Sequence, residues 1–123
     1  MESPWHPMCK LYYRDVLDDL LKERQAIIVS LTSCEYSDFA KDTLKSWGVA
    51  YTPVELNHLY GEDMMEFANC FYGTEKRRVP LIFMDNKKVG NLADLFNMKR
   101  HNKIKPWPKP ETPTPETKPA EQS

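Results

Sequence analysis

Apolar positions along the chain change their period several times, and each change marks an element. Leu11, Val16, Leu17, Leu20 and Leu21 recur at helical spacing with charged residues between them, which predicts an amphipathic helix. Ala26 to Leu31 is a short apolar run rich in β-branched residues and reads as a buried strand. A turn at Thr32-Ser33-Cys34 follows. Phe39, Ala40, Leu44 and Trp47 then predict a second helix, closed by Gly48. Val49 to Leu56 reads as a second strand. Glu62 to Tyr72 reads as a helix, closed by Gly73, with Phe67, Ala68 and Phe71 facing inward and the Met64/Met65 pair as core filling. Val79 to Met84 is a third strand. Asp85-Asn86 turns it into Lys87-Lys88-Val89, a fourth, and Asn91 to Arg100 is a last helix. A helix joins the first two strands, so they should run parallel. A tight hairpin joins the last two, so they should run antiparallel. The expected product is an α/β domain: a mixed four-stranded sheet flanked by helices.

The periodicity stops near the end. From Pro106 to Ser123 there are six prolines in eighteen residues, spaced by Thr, Glu and Lys. Such a segment buries too little apolar surface to offset its ordering entropy, so a disordered Pro-rich C-terminal tail is expected. Its Pro110-Glu111-Thr112-Pro113 step is a PxxP match of the kind that arises by chance in any Pro-rich tail, so a solubilising or linker role is expected ahead of partner binding. The chain therefore divides into an N-terminal arm (1–9), a globular domain (10–104) and the tail (105–123). With 17 Lys+Arg against 18 Asp+Glu, there is no basic field to hold nucleic acid. No apolar run approaches a membrane span. The first residues lack the basic and apolar regions of a secretory signal. Three cysteines, an odd count without scaffold spacing, suggest a reducing compartment and a cytoplasmic protein.

Chemistry concentrates at Cys34. A cysteine between a strand's end and a helix start meets free backbone N–H groups and the helix dipole, both of which favour a thiolate. Cys9, in the Pro- and Trp-containing arm, is expected to be exposed and incidental, and Cys70 to be a buried apolar residue on the third helix. His6, His58 and His101 have no partners at zinc-finger spacing, so no protein-only metal site is expected.

Over roughly residues 26–100 the chain resembles the glutaredoxin family of the thioredoxin fold. Cys34-Glu35-Tyr36-Ser37 occupies the place of the family's Cys-Pro-Tyr-Cys site. Val79-Pro80 matches its Val-Pro step with a cis proline facing the active cysteine. Val89-Gly90 and Asp94-Leu95 match the ends of its Ile-Gly-Gly-x-Asp-Asp-Leu stretch. The resemblance implies a glutathione-dependent thiol-disulfide oxidoreductase, with glutathione as co-substrate and glutathionylated proteins as partners. Cys34, Tyr36 and Ser37 would be the catalytic residues. Lys76, Arg77, Val79, Pro80, Asn91 and Asp94 would bind glutathione.

The departures bear on mechanism. Ser37 stands where the second cysteine would be, so the resemblance implies a monothiol enzyme that removes glutathione from mixed disulfides. The family's lysine three residues before the cysteine is Leu31 here, and the first Asp of its late pair is Ala93. Glu35 beside the thiol should oppose the thiolate. Lys76-Arg77-Arg78, just before the proline step, could replace the missing carboxylate contacts. The losses leave two rivals to an enzyme: a binding or regulatory module on the same fold with little catalysis, and a glutathione-ligated [2Fe–2S] carrier.

Overall fold

Strand β1 (Ala26–Ser30) is buried along its whole length because it lies inside the sheet and is covered on both faces. The computed structural model describes residues 3–101 and 104; the proposed tail, 105–123, lies outside them. Helix α1 (Leu11–Glu23) precedes β1. Then follow α2 (Glu35–Ser46), β2 (Tyr51–Glu55), a 3-10 turn (Leu56–His58), α3 (Gly61–Tyr72), β3 (Leu81–Met84), β4 (Lys87–Gly90) and α4 (Leu92–Arg100). The strand order is β2-β1-β3-β4. β1 and β2 are parallel, while β3 runs antiparallel to both β1 and β4. This is the expected mixed four-stranded sheet.

Side chains alternate across a strand, so the sheet divides the core in two. Ile27 and Val29 of β1, with Leu81 and Phe83 of β3, meet Tyr13 and Leu17 of α1 and Cys70 and Phe71 of α3. Ala26 and Ile28, with Ile82 and Met84, meet Ala40 and Leu44 of α2 and Leu95 of α4. Each fully buried Phe or Ile contributes roughly 1.5–3 kcal/mol of transfer free energy.

Several boundaries differ from the sequence expectation, each for a physical reason. Helix α2 begins at Glu35, before the apolar periodicity does. Its first turn carries Glu35 and Asp38, which suit the positive end of the helix dipole although they bury nothing there. β2 ends at Glu55, where the chain tightens into the 3-10 turn. Pro53 is tolerated in β2 because this is an edge strand with one side unpaired. β3 starts at Leu81, past the cis Val79–Pro80 bond, because proline has no N–H for the ladder. The hairpin at Asp85-Asn86 is as expected, with φ of 53° and 64° giving the twist that antiparallel strands need.

The N-terminal arm corrects two expectations. Cys9 is not exposed and incidental: it is 4% exposed and forms a disulfide with Cys70, 61 residues away. Cys70 is fully buried as expected, but as a half-cystine. The arm docks through Trp5, whose ring stands 4.7 Å from Phe83 and 6.1 Å from Phe71. The Trp5 Nε1–H donates to Asp18 Oδ1 at 2.8 Å. The His6 N–H donates to the Cys70 carbonyl at 2.8 Å, and the His6 ring occupies the space a Cβ would need at Gly73. A disulfide also removes the cysteine count as an argument for a reducing compartment. The Met64/Met65 pair does not fill the core either. Met65 is 51% exposed, and Met64 Sδ accepts from Arg77 Nη1 at 3.6 Å.

Candidate functional site

The sheet gathers the candidate residues at one end. β1, β2 and β4 all point the same way, so their C-terminal ends share an edge, and antiparallel β3 begins there. From that edge the chain leaves β1 toward Cys34, leaves β4 into α4, and enters β3 from Lys76–Pro80. Val29 pairs with Leu81, which sets Pro80 beside the exit of β1. Cys34, the Val79–Pro80 step and the Asn91–Asp94 turn are thus neighbours by topology although they span 60 residues.

Cys34 is the N-cap of α2 and is half-buried; with Cys9 and Cys70 bonded, it is the chain's free thiol. Its N–H donates to the Leu31 carbonyl at 3.2 Å, and its carbonyl accepts from the Asp38 N–H at 2.9 Å. No cap hydrogen bond closes on the neutral sulfur, a weak acceptor. The charged form is favoured, so the thiol pKa lies below its ordinary value. The Ser37 N–H is the largest cause, followed by the Ser37 hydroxyl; partial burial opposes them, the Tyr36 N–H assists, and the Asp38 carboxylate opposes. Asp38 is thus a carboxylate that opposes the thiolate, and the lowering comes chiefly from the N–H and hydroxyl groups at the helix start. Ser37 is fully buried, and its oxygen accepts from the Leu31 N–H at 3.3 Å, leaving its proton for the sulfur. Tyr36 is 69% exposed beside the thiol.

Lys76 and Arg77 lie in the exposed loop that leads to Pro80, Val79 is half-buried and Pro80 is buried. The Arg78 carbonyl accepts from the Tyr72 hydroxyl at 2.6 Å, which ties the loop to α3. Asn91 and Asp94 form a capping box at α4, with the Asn91 N–H donating to Asp94 Oδ2 and the Asp94 N–H donating to Asn91 Oδ1, both at 3.0 Å. Gly90 has φ of 116°, and a Cβ there would meet Asp94 Oδ2, so this turn requires glycine.

A second polar group borders the thiol loop and was missed in the sequence. Glu55, at the end of β2, accepts from the Ser30 hydroxyl at 2.8 Å and the Thr32 hydroxyl at 3.0 Å, and pairs with Lys41 of α2. Burial pushes its pKa up, but hydrogen bonds from Lys41, Ser30 and Thr32 outweigh that and hold it below the usual carboxylate range. The available signal was Ser30, a hydroxyl ending an apolar strand at the same register as Glu55.

This frame is shared with solved structures. Glutaredoxin C1 from Populus tremula x tremuloides superposes with a TM-score of 0.58 at 23% identity, covering 72% of this chain and 87% of that one. A buckwheat glutaredoxin–glutathione complex also gives 0.58, at 22% identity, covering 72% of this chain and 80% of that one. The fold is therefore thioredoxin-like. The glutaredoxin family model matches residues 26–89, more than half the chain. Glutaredoxin 1 of Rickettsia prowazekii is 37% identical over 78 residues, which are 63% of this chain and 80% of that protein. Mouse mitochondrial glutaredoxin-2 is 30% identical over 95 residues, which are 73% of this chain but 57% of that longer protein. The chain belongs to the glutaredoxin family, a family of glutathione-dependent thiol oxidoreductases.

Proposed function

We propose that the protein is a monothiol glutaredoxin that removes glutathione from mixed disulfides. The observation that carries this reading is the free Cys34 at the start of α2, with its pKa lowered by groups of Ser37 and Tyr36. In the first step the Cys34 thiolate attacks the glutathione sulfur of a glutathionylated protein. A Cys34–glutathione disulfide forms, and the protein sulfur leaves as a thiolate that takes up a proton. In the second step the thiolate of another glutathione attacks the glutathione sulfur of that adduct. Oxidised glutathione leaves and the Cys34 thiolate is restored. Ser37 cannot form an internal disulfide with Cys34, so its hydroxyl serves instead to stabilise the thiolate released in the second step.

Glutathione would lie across the shared sheet edge. Lys76 and Arg77 supply charge for its glycine carboxylate, and the backbone at Val79–Pro80 pairs with its cysteinyl segment. The first turn of α4, after Asn91, offers N–H groups to the γ-glutamyl carboxylate, with Asp94 holding that turn in place. The test is mass spectrometry after exposure to oxidised glutathione, then turnover of a glutathionylated peptide. A single adduct on Cys34 with turnover supports the reading. An absent adduct transfers the site to the rival binding module, which the apolar Leu31 and Ala93 favour.

A further inference from the structure

The loop between β1 and α2 is short and conformationally demanding. Ser33 within it has φ of 70°, the left-handed region that an L side chain occupies only when its surroundings compel it. Its neighbour Thr32 is held from two directions. The Thr32 N–H donates to Asn57 Oδ1 at 3.1 Å. The Thr32 hydroxyl donates to Glu55 Oε1 at 3.0 Å. Its oxygen stands 3.0 Å from His58 Nε2, so with the hydroxyl proton spent on Glu55 the imidazole is the donor there. Glu55 is fixed in turn by Ser30 and Lys41, and Lys41 cancels its charge, so the cluster adds no net negative charge beside the thiol.

From this geometry we infer that Thr32 is a positioning residue for Cys34, clamping the loop onto β2 and the 3-10 turn in the conformation that delivers the sulfur to the N–H groups of α2. The causal chain is short. Thr32 fixes Ser33, and Ser33 fixes the angle at which Cys34 enters the helix. The Leu31 carbonyl and N–H, one residue upstream, bind the Cys34 N–H and the Ser37 oxygen, so a loosened loop slackens both contacts. The inference rests on the reading of Cys34 as the reacting thiol.

The test measures the alkylation rate of Cys34 by iodoacetamide across pH in wild type, Thr32→Val and Thr32→Ser. Iodoacetamide is neutral, and the measurement does not involve glutathione. Thr32→Val keeps the shape and removes the hydroxyl. Its profile should move to higher pH, with the rate at neutral pH lowered about threefold to fivefold, the equivalent of one net hydrogen bond. Thr32→Ser keeps the hydroxyl and should follow wild type. A Thr32→Val profile that superimposes on wild type, even with a lowered melting temperature, overturns the inference. So does a Thr32→Ser profile as displaced as that of Thr32→Val. If the displacement appears while no glutathione adduct forms on wild type, the clamp stands and the glutathione reading falls.

Discussion

The molecule keeps its sulfur in two regions with opposite properties. At the sheet edge, Cys34 is half-buried and faces helix N–H groups that favour its charged form. Within the core, Cys9 and Cys70 are buried in the same cluster as Trp5 and Phe71 and bonded to each other. One site offers a nucleophile to solvent; the other pins the arm to α3 and offers none. The difference lies in position, because thiol reactivity follows thiolate fraction and access, and both are set by the surroundings.

The sharpest way to break this contrast is Cys34→Ser. It should abolish glutathione adducts altogether by mass spectrometry, because the remaining sulfurs are sequestered. An adduct that persists would mean that the bonded pair exchanges.

Next comes the double change Cys9→Ala with Cys70→Ala. A cross-link spanning 61 residues restricts the unfolded chain by about 4 kcal/mol on the chain-entropy account. Denaturant unfolding should show a loss of that size while the Cys34 adduct still forms. Lost adduct formation in a folded variant would mean that the arm supports the site.

Smaller effects sharpen the reactive side. Alanine at Lys76, Arg77 or Arg78 should, in at least one case, weaken glutathione binding about tenfold or more, since each charge-assisted hydrogen bond is worth roughly 1.5–3 kcal/mol. Kinetic titration at low and high salt checks this, and three variants that match wild type would remove the loop from the site.

Ser37→Ala removes a hydroxyl that stabilises the thiolate, so the Cys34 pKa should rise and the pH–alkylation curve shift to higher pH. The sign follows from the folded state. Groups that lower the thiol pKa raise the thiolate fraction near neutrality, and losing one reduces it. Asp38→Asn should give the smallest change, in the opposite direction, because it relieves a repulsion in an exposed first turn. An Asp38→Asn curve that matches wild type while Glu35→Gln shifts would restore Glu35 as the opposing charge.

How much was legible follows from the range of each interaction. Helix periodicity, the apolar run of β1, the Asp85-Asn86 turn and the strand-turn-helix setting of Cys34 are local patterns, and they can be read from residues a few positions apart. The Cys-x-x-Ser site and the Val-Pro step, taken in order, carried the family resemblance. The first turn of α2 buries no apolar residue and so leaves no period to read, and the helix start was legible only through the strand-turn-helix setting of Cys34.

The sequence alone therefore determined the element types, the parallel and antiparallel pairings implied by connection length, and the placement of Cys34 between a strand's end and a helix start. Only the tertiary structure decided that Cys9 and Cys70 meet. No local pattern records the separation of two residues 61 apart, and a disulfide needs their Cα atoms within several ångströms. The same holds for Glu55, whose partners Ser30, Thr32 and Lys41 reach it from β1, the loop and α2. Strand register and helix packing bring those groups together, and both are settled by burying the two faces of the sheet rather than by the polar residues themselves.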